Sequence, residues 1–217
     1  MFAVIRQARP DAVLASFVNW NNVNYGMVET DIGVNEMNVT DDAALTDKIC
    51  EYLDAGSKPA LLFVQLDSVD HAGHEYGSAS EKYMDAIHTA DGYVGKIYDA
   101  VVRNGLAEDS LFIVTADHGH KKTGGHGRFS KRETLTTVAA VGKTVVQSDS
   151  LGATARARDI AAITLFALGV DRPAQMSARI PPHLFAETKG EARSFWKDPL
   201  DGLLSPVMWL VTMVIPG

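Results

Sequence analysis

The sequence predicts an α/β domain in which a mostly parallel sheet lies between two layers of helices. Two uninterrupted apolar runs, at residues 60–66 and 111–116, have the length and composition of strands buried on both faces of a sheet. Helical patterns alternate with these runs and the connections are short, which is typical of a three-layer α/β/α sandwich. The chain has 217 residues, 46% hydrophobic and 22% charged, so it can bury one ordinary globular core.

The remaining elements follow from apolar periodicity and from capping residues. A long helix opened by Ser78 or Ser80 has apolar residues at three- and four-residue steps, and Gly105 supplies its left-handed end. Thr40 can cap a second helix, which is predicted at residues 41–53. Further helices are predicted at residues 2–8 and 158–168, further strands at residues 11–17 and 137–141, and a loop at residues 19–24.

Charge and cysteine content limit the function classes. The net charge of −7 provides no basic field for a phosphate backbone, so we expect no nucleic-acid binding. Cys50 is the single cysteine, which excludes an intrachain disulfide. The first residues lack the apolar core of a signal peptide. These features do not determine the cellular compartment, which would be cytoplasmic if the chain is complete as given.

The pattern of alternating elements weakens towards the carboxyl terminus. We assign residues 1–187 to the α/β domain and residues 188–217 to a tail of unknown role. The apolar run at residues 203–217 is shorter than the roughly 20 residues that a spanning helix needs, so it gives no firm membrane segment. It is interpreted as a cut-off membrane segment, a packed terminal strand or sequence foreign to the domain, with the last two favoured.

Two Asp/His clusters follow two different buried strands. Asp70 and His74 come after the first strand and are four residues apart, so a helical turn would bring both side chains to one ion. Asp117 and His118 come directly after the second strand, where a sharp turn would be needed to bring both side chains to one ion. Ligands of open α/β sheets bind outside the carboxyl ends of strands, which is where both clusters lie.

A further histidine, His126, lies between glycines downstream of the second cluster. Mixed carboxylate and imidazole ligands suit zinc, with manganese or iron next. A lone histidine is usually structural, and we expect that for His71, His88 and His120. His71 and His120 could still support the ligands from outside, as could Asp67.

The segments LDSVDHAGHEYG and LFIVTADHGHKKTGGHG resemble the metal-binding motifs of the alkaline phosphatase superfamily, and within it the type I phosphodiesterase/nucleotide pyrophosphatase family. The resemblance extends from near residue 1 to about residue 185 and implies an alkaline-phosphatase-like fold. It also implies two divalent metals, with zinc expected and manganese possible, and a phosphate ester or nucleotide as the small-molecule substrate. The metal ligands implied are Asp70, His74 and His126 for one ion, with Asp117 and His118 helping to bind the second.

The sequence departs from the family in its first 59 residues. The family places another metal-binding aspartate in a D-G-x-R-type strand end and its nucleophile, a threonine or serine, at the following helix start. Neither is found here, and Ser16 and Thr30 lack that context. We therefore leave the nucleophile unknown and expect the carboxyl-terminal portion of a larger domain. Its sheet would lack amino-terminal strands, leaving an edge through which the chain could associate with itself.

Other interpretations remain open. A catalytically incomplete, metal-binding remnant would explain the missing nucleophile. A sulfatase would share the fold, but its modifiable cysteine stands in a C-x-P-x-R context and Cys50 does not. A relative of the cofactor-independent phosphoglycerate mutases is a further alternative.

Overall fold

A computed structural model of the chain describes residues 1–149, 151, 154–186 and 209–214, the last of these as backbone. Its centre is a six-stranded sheet with the order β2-β1-β3-β6-β4-β5. The strands are β1 (Leu14–Val18), β2 (Val34–Asn38), β3 (Leu61–Leu66), β4 (Leu111–Ala116), β5 (Val138–Gly142) and β6 (Trp209–Val214).

Four of the six strands point the same way, as expected of a mostly parallel sheet, and β2, β1 and β3 form its parallel part. β1 runs parallel to β2 and to β3, whereas β6 is antiparallel to both of its neighbours, β3 and β4. β4 therefore points the same way as β1, β2 and β3, and β5 pairs antiparallel with β4. The last residues of β3 and β4, Leu66 and Ala116, both lie opposite Trp209. We call the side of the sheet where β1, β3 and β4 end the carboxyl edge.

Helices cover both faces of the sheet. The helices are α1 (Phe2–Ala8), α2 (Asn22–Gly26), α3 (Asp42–Asp54), α4 (Ser68–Tyr76), α5 (Glu81–Arg103), α6 (Lys131–Thr134) and α7 (Asp159–Ala167), with a 3₁₀ turn at Ala107–Asp109. Residues of α1 and α7 pack with Leu61, Phe63 and Ile113 on one face. Residues of α3 and α5 pack with Leu62 and Val64 on the other. Alternate strand residues thus enter opposite cores, and the predicted three-layer arrangement is confirmed.

The capping signals place most boundaries near their predicted positions. The α3 helix is capped by Asp41, whose carboxylate accepts from Ala44 N at 2.7 Å, rather than by Thr40. Ser80 caps α5 by accepting from Tyr83 N at 3.1 Å. Gly105 follows α5 with φ 69°, the left-handed conformation expected of a glycine stop.

Three local predictions differ from the structure. The loop expected at residues 19–24 contains the start of the short helix α2. Strand β2 was not predicted, because its sequence VNEMN is largely polar and lies at a sheet edge. The predicted third strand is present as β5, but it runs antiparallel.

The apolar carboxyl-terminal run contributes β6, so residues 209–214 form a strand of the central sheet. This fits the interpretation as a packed terminal strand. Among the helices in the described part of the chain, none has the length and hydropathy needed to cross a membrane. The sheet ends in β2 and β5, and self-association through such an edge stays a prediction.

Candidate metal centre

The carboxyl edge brings the two Asp/His clusters together. Helix α4 begins directly after β3 and places Asp70 and His74 on one face, with 3.5 Å between His74 Nε2 and Asp70 Oδ2. Residues 117–127 leave the carboxyl end of β4, which is separated from β3 by β6, and form an irregular segment that we call the histidine loop. The predicted helical turn between Asp70 and His74 is therefore confirmed.

Backbone contacts hold the histidine loop against α4. Gly125 N donates to Gly73 O at 3.2 Å, and Ser78 N donates to Lys121 O at 2.9 Å. The Ser78 hydroxyl donates to His120 O at 2.8 Å. Gly73 makes this approach possible, since a Cβ there would lie 2.5 Å from the His120 ring. The helix and the loop thus form one packed unit.

Four side chains of this unit converge on one point. Asp70, His74, His120 and His126 each offer one ligand atom, and these atoms all lie within 4.8 Å of one another. Asp70 Oδ1 is 3.0 Å from His120 Nε2 and 3.6 Å from His126 Nε2. His74 Nε2 and His126 Nε2 are 3.0 Å apart. Two imidazole nitrogens approach in this way around a tetrahedral ion, where the separation is roughly 3.3 Å. This group could hold a divalent metal ion.

Buried atoms without hydrogen-bond partners support that fit. Within the described residues, Asp70 Oδ1 and both ring nitrogens of His120 are buried without a partner of acceptable geometry. Asp70 Oδ1 and His120 Nε2 lie 3.0 Å apart, which is close enough for an ion pair when the ring is protonated. Asp117 Oδ2 and His118 Nε2 are orphaned in the same way. Buried polar atoms are nearly always paired, so these five atoms are available as ligands for a cation.

Asp117 and His118 lie beside the four-residue group. His118 Nε2 is 3.8 Å from Asp117 Oδ2 and 4.0 Å from Asp70 Oδ1, so Asp70 lies between the two groups. His118 Nδ1 lies 3.0 Å from Gly119 O, and because a carbonyl oxygen can only accept, this nitrogen carries the proton. The Nε2 lone pair is then free for an ion.

Burial shifts the ionisation of this second pair. It raises the pKa of Asp117 to about 8, because the charged carboxylate is poorly solvated and Asp70 and Asp67 lie nearby. Burial also lowers the pKa of His118 to about 4, and the neighbouring His126 adds to that effect. A cation bound nearby would favour the carboxylate form of Asp117 and the neutral form of His118, so it would oppose the first shift and reinforce the second.

The pKa of Asp70 is shifted in the opposite direction to that of Asp117. Burial raises its pKa, but the close His120 and His74 rings more than offset this, so the pKa lies below its ordinary value. Burial lowers the pKa of His126, which favours the neutral ring that can bind a metal. Asp70 is thus held as an anion among imidazoles.

The structure brings together all five predicted ligand residues and adds His120. Asp70, His74 and His126 converge as expected, and Asp117 and His118 lie adjacent; their roles as ligands stay predictions. His120 was expected to have a structural or supporting role, yet it contributes to the four-residue group and is only 2% exposed. The single available signal was its position two residues after His118. His71 and His88 are exposed.

The two hydroxyl residues considered as nucleophiles lie away from this centre. Ser16 is fully buried within β1 and donates to Asn24 Oδ1 at 2.6 Å. Thr30 lies four residues before the amino end of β2, whereas the centre is at the carboxyl edge. Neither residue gains support from the structure.

The fold and the clustered side chains define an α/β/α domain with a group of carboxylate and imidazole atoms that could hold a metal ion. The profile of the family described as "Type I phosphodiesterase / nucleotide pyrophosphatase" matches residues 5–184. The chain belongs to this family, which is part of the alkaline phosphatase superfamily. The superfamily contains both phosphoesterases and phosphotransferases.

Similar curated proteins share only a small part of their length with this chain. A GPI ethanolamine phosphate transferase 3 from Eremothecium gossypii is 37% identical over 70 residues, 32% of this chain and 6% of that protein. A GPI ethanolamine phosphate transferase 1 from Yarrowia lipolytica is 29% identical over 138 residues, 63% of this chain and 15% of that protein. A 2,3-bisphosphoglycerate-independent phosphoglycerate mutase from Syntrophotalea carbinolica is 29% identical over 141 residues, 63% and 26% of the two chains. No solved structure matches.

Proposed function

We propose that this chain carries the metal-binding part of a phosphodiesterase/nucleotide pyrophosphatase-type enzyme that cleaves phosphate esters with two divalent metal ions. The observation that supports this most strongly is the convergence of orphaned carboxylate and imidazole atoms at the carboxyl edge. A purely structural cluster would instead pair these atoms with one another or with the backbone.

The donor set favours zinc over the harder divalent ions. Three imidazoles and one carboxylate suit a tetrahedral zinc site, whereas magnesium and calcium prefer oxygen ligands. Manganese accepts the same mixture and is the second choice. Asp70, His74 and His126 hold one ion in this proposal, with His120 as a fourth donor or as a group that orients them.

Asp117 and His118 help to hold the second ion. The backbone carbonyl of Gly119 keeps the His118 ring in the tautomer with a free Nε2. Asp117 must release its proton before it can act as a ligand, given its raised pKa. Two ions held by these residues would supply charge stabilisation for the attacking and leaving oxygens of a phosphoryl transfer. Asp70, between the two groups, fixes their spacing.

The nucleophile is assigned outside the residues that form this centre. Residues 1–59 lack the D-G-x-R strand end and the following Thr/Ser helix start, and Ser16 and Thr30 lie away from the donors. We therefore assign the nucleophile and one further metal-binding aspartate to a preceding segment of the enzyme. The chain by itself is then a metal-binding unit that is catalytically incomplete.

Hydrolysis of bis-p-nitrophenyl phosphate by the purified chain with added zinc tests this proposal, together with direct zinc titration. We expect zinc to bind and nitrophenolate release to stay at the background rate. Zinc-dependent release that is lost in Asp117→Ala would show a working phosphodiesterase and refute the absence of a nucleophile. Failure of the folded chain to bind zinc would refute the metal centre itself.

Transfer to an alcohol is the second candidate activity. It is favoured by the matches to proteins that are named as ethanolamine phosphate transferases. With bis-p-nitrophenyl phosphate as the substrate and an alcohol as the acceptor, an active form would release one nitrophenolate per turnover and yield a mixed diester of that alcohol, together with p-nitrophenyl phosphate where water is the acceptor. Product analysis by ³¹P NMR separates this outcome from hydrolysis alone.

A further inference from the structure

Helix α4, which carries Asp70 and His74, lacks a cap from its own sequence. Its N-cap residue, Asp67, makes no side-chain hydrogen bond to the helix amides. The Asp67 carboxylate accepts instead from Gln65 Nε2 at 2.9 Å. The first amides of a helix have no partner within it, so this end needs an acceptor from elsewhere.

Asp42, at the start of α3, supplies that acceptor. Its Oδ1 accepts from Asp67 N at 3.0 Å and its Oδ2 accepts from Ser68 N at 2.9 Å. Oδ1 also accepts from Asn19 Nδ2 at 2.7 Å, which ties in the segment after β1. Asp42 is only 1% exposed. One buried carboxylate thus joins the ends of two strands to the start of the ligand helix.

Helix α3 does not use the Asp42 side chain as its amino-terminal cap. The amino terminus of α3 is already capped by Asp41. The Asp42 side chain turns towards a different helix, while its backbone oxygen accepts from the Thr46 hydroxyl at 2.7 Å. A buried carboxylate that is used in this way costs desolvation, so its hydrogen bonds to α4 account for its presence.

We propose that Asp42 is a positioning residue for the metal centre. By accepting from the amides of the N-cap residue Asp67 and of Ser68, the first residue of α4, it fixes the rotation and height of the helix relative to the carboxyl edge. Asp70 lies two residues after Ser68, and His74 lies one turn further on. A shift of the helix start therefore moves both donors relative to the histidine loop. This inference rests on the proposed metal-binding function.

Neighbouring hydrogen bonds keep the Asp42 carboxylate in place. Gln65 Oε1 accepts from Asn19 N at 3.1 Å and from Trp20 N at 2.7 Å. Gln65 therefore orders the segment whose Asn19 side chain donates to Asp42, while its Nε2 restrains Asp67. The network has a fixed geometry, as is needed for positioning a ligand at a distance.

Asp42→Asn is the decisive variant, with Asp41→Ala as its matched control. Asn keeps the volume but replaces one acceptor with a donor that faces a backbone N–H. Asp41→Ala removes the cap of the same helix, α3, without touching α4. Zinc affinity is measured by competition with a chromophoric chelator, apo-state stability by urea unfolding, and ligand geometry by the visible absorption of the cobalt-substituted chain.

We expect Asp42→Asn to weaken zinc binding about 10- to 100-fold, the range found for groups that orient ligands, and to change the cobalt spectrum. Asp41→Ala should lower the urea midpoint while keeping zinc affinity within about threefold and the cobalt spectrum unchanged. Equal zinc affinity in Asp42→Asn and the unmodified chain would overturn the positioning role and leave the metal centre standing. Absence of zinc binding in the unmodified chain would overturn both.

Discussion

The two segments that bring ligands to the candidate centre reach it by different physical means. Helix α4 is regular, so the four-residue spacing of Asp70 and His74 is enough to place them on one face. The histidine loop has no repeat, and its three histidines converge because backbone contacts fold it around Gly73. The comparison teaches that one half of the site is encoded locally and the other half by tertiary packing.

The largest expected effect comes from removing Asp70, the helix residue that both groups share. Its Oδ1 lies within 4.0 Å of His118, His120 and His126 nitrogens. We expect Asp70→Ala to weaken zinc binding on the order of 1000-fold, because the only carboxylate of the four-residue group is lost. Isothermal titration measures this. Asp91→Ala, an exposed carboxylate on α5, is the control, and a loss of less than tenfold for Asp70→Ala would contradict the shared role.

Two substitutions in the histidine loop test which of its histidines binds the metal ion. We expect His126→Ala to weaken zinc binding roughly 100-fold, as expected of a ligand. His120→Ala should do the same if its orphaned Nε2 binds the ion, and about tenfold if the ring only orients Asp70. Zinc titration of both variants, with exposed His88→Ala as the control, separates these cases. An unchanged affinity in His126→Ala would remove it from the ligand set.

Gly73 tests the packing between the two segments. A Cβ there would meet the buried His120 ring at 2.5 Å, so Gly73→Ala must push the loop away from α4. We expect zinc affinity to fall about 10- to 100-fold, as when an orienting contact is lost. Gly92→Ala is the control, because this α5 glycine has nothing within 4 Å and the substitution should raise helix stability by up to about 1 kcal/mol. Unaltered zinc affinity in Gly73→Ala would show that the loop keeps its shape without this contact.

The same distinction between local and tertiary encoding decides what could be predicted from sequence. Strand β4 has its predicted bounds because an uninterrupted apolar run needs burial on both faces. Helix α5 follows from its apolar stripe and its Ser80 cap. Strand β2 could not be predicted, since a polar edge strand has little apolar signal. The insertion of β6 between β3 and β4 depends on a partner far away in sequence, and no local pattern specifies it.

The candidate site also contains residues that local sequence predicts and residues that only tertiary contacts bring into place. Asp70 and His74 could be paired from spacing alone, and the resemblance supplied His126. His120 could not be recognised as a donor, because two residues in an irregular loop have no fixed relation. Asp42 lies in the helix predicted at residues 41–53, but its hydrogen bonds to Asp67 N and Ser68 N form only when α3 packs beside the end of β3.

The smallest expected effect is the pH dependence of zinc binding that comes from Asp117 in the histidine loop. Asp117 has its pKa raised to about 8 by burial, so at pH 7 the metal-free fold keeps it protonated. Zinc must displace that proton, so zinc affinity should rise up to about tenfold per pH unit between pH 6 and pH 8. Titration in two buffers of different ionisation enthalpy should show about one proton released at pH 7. Asp117→Asn should abolish that release, and an unchanged release would contradict the assignment.

The free energy of unfolding of the metal-free chain should fall with rising pH, whereas zinc affinity should rise. The raised pKa of Asp117 stabilises the fold at low pH, and this contribution is lost as pH rises through about 8. The pKa of His118, lowered to about 4 from its ordinary 6.5, adds stability as pH rises between those values. The two contributions oppose each other below pH 6.5, which leaves a net loss of stability from about pH 6.5 to pH 8. Urea midpoints across that range check this, and saturating zinc should remove the loss because the bound ion holds Asp117 as the carboxylate.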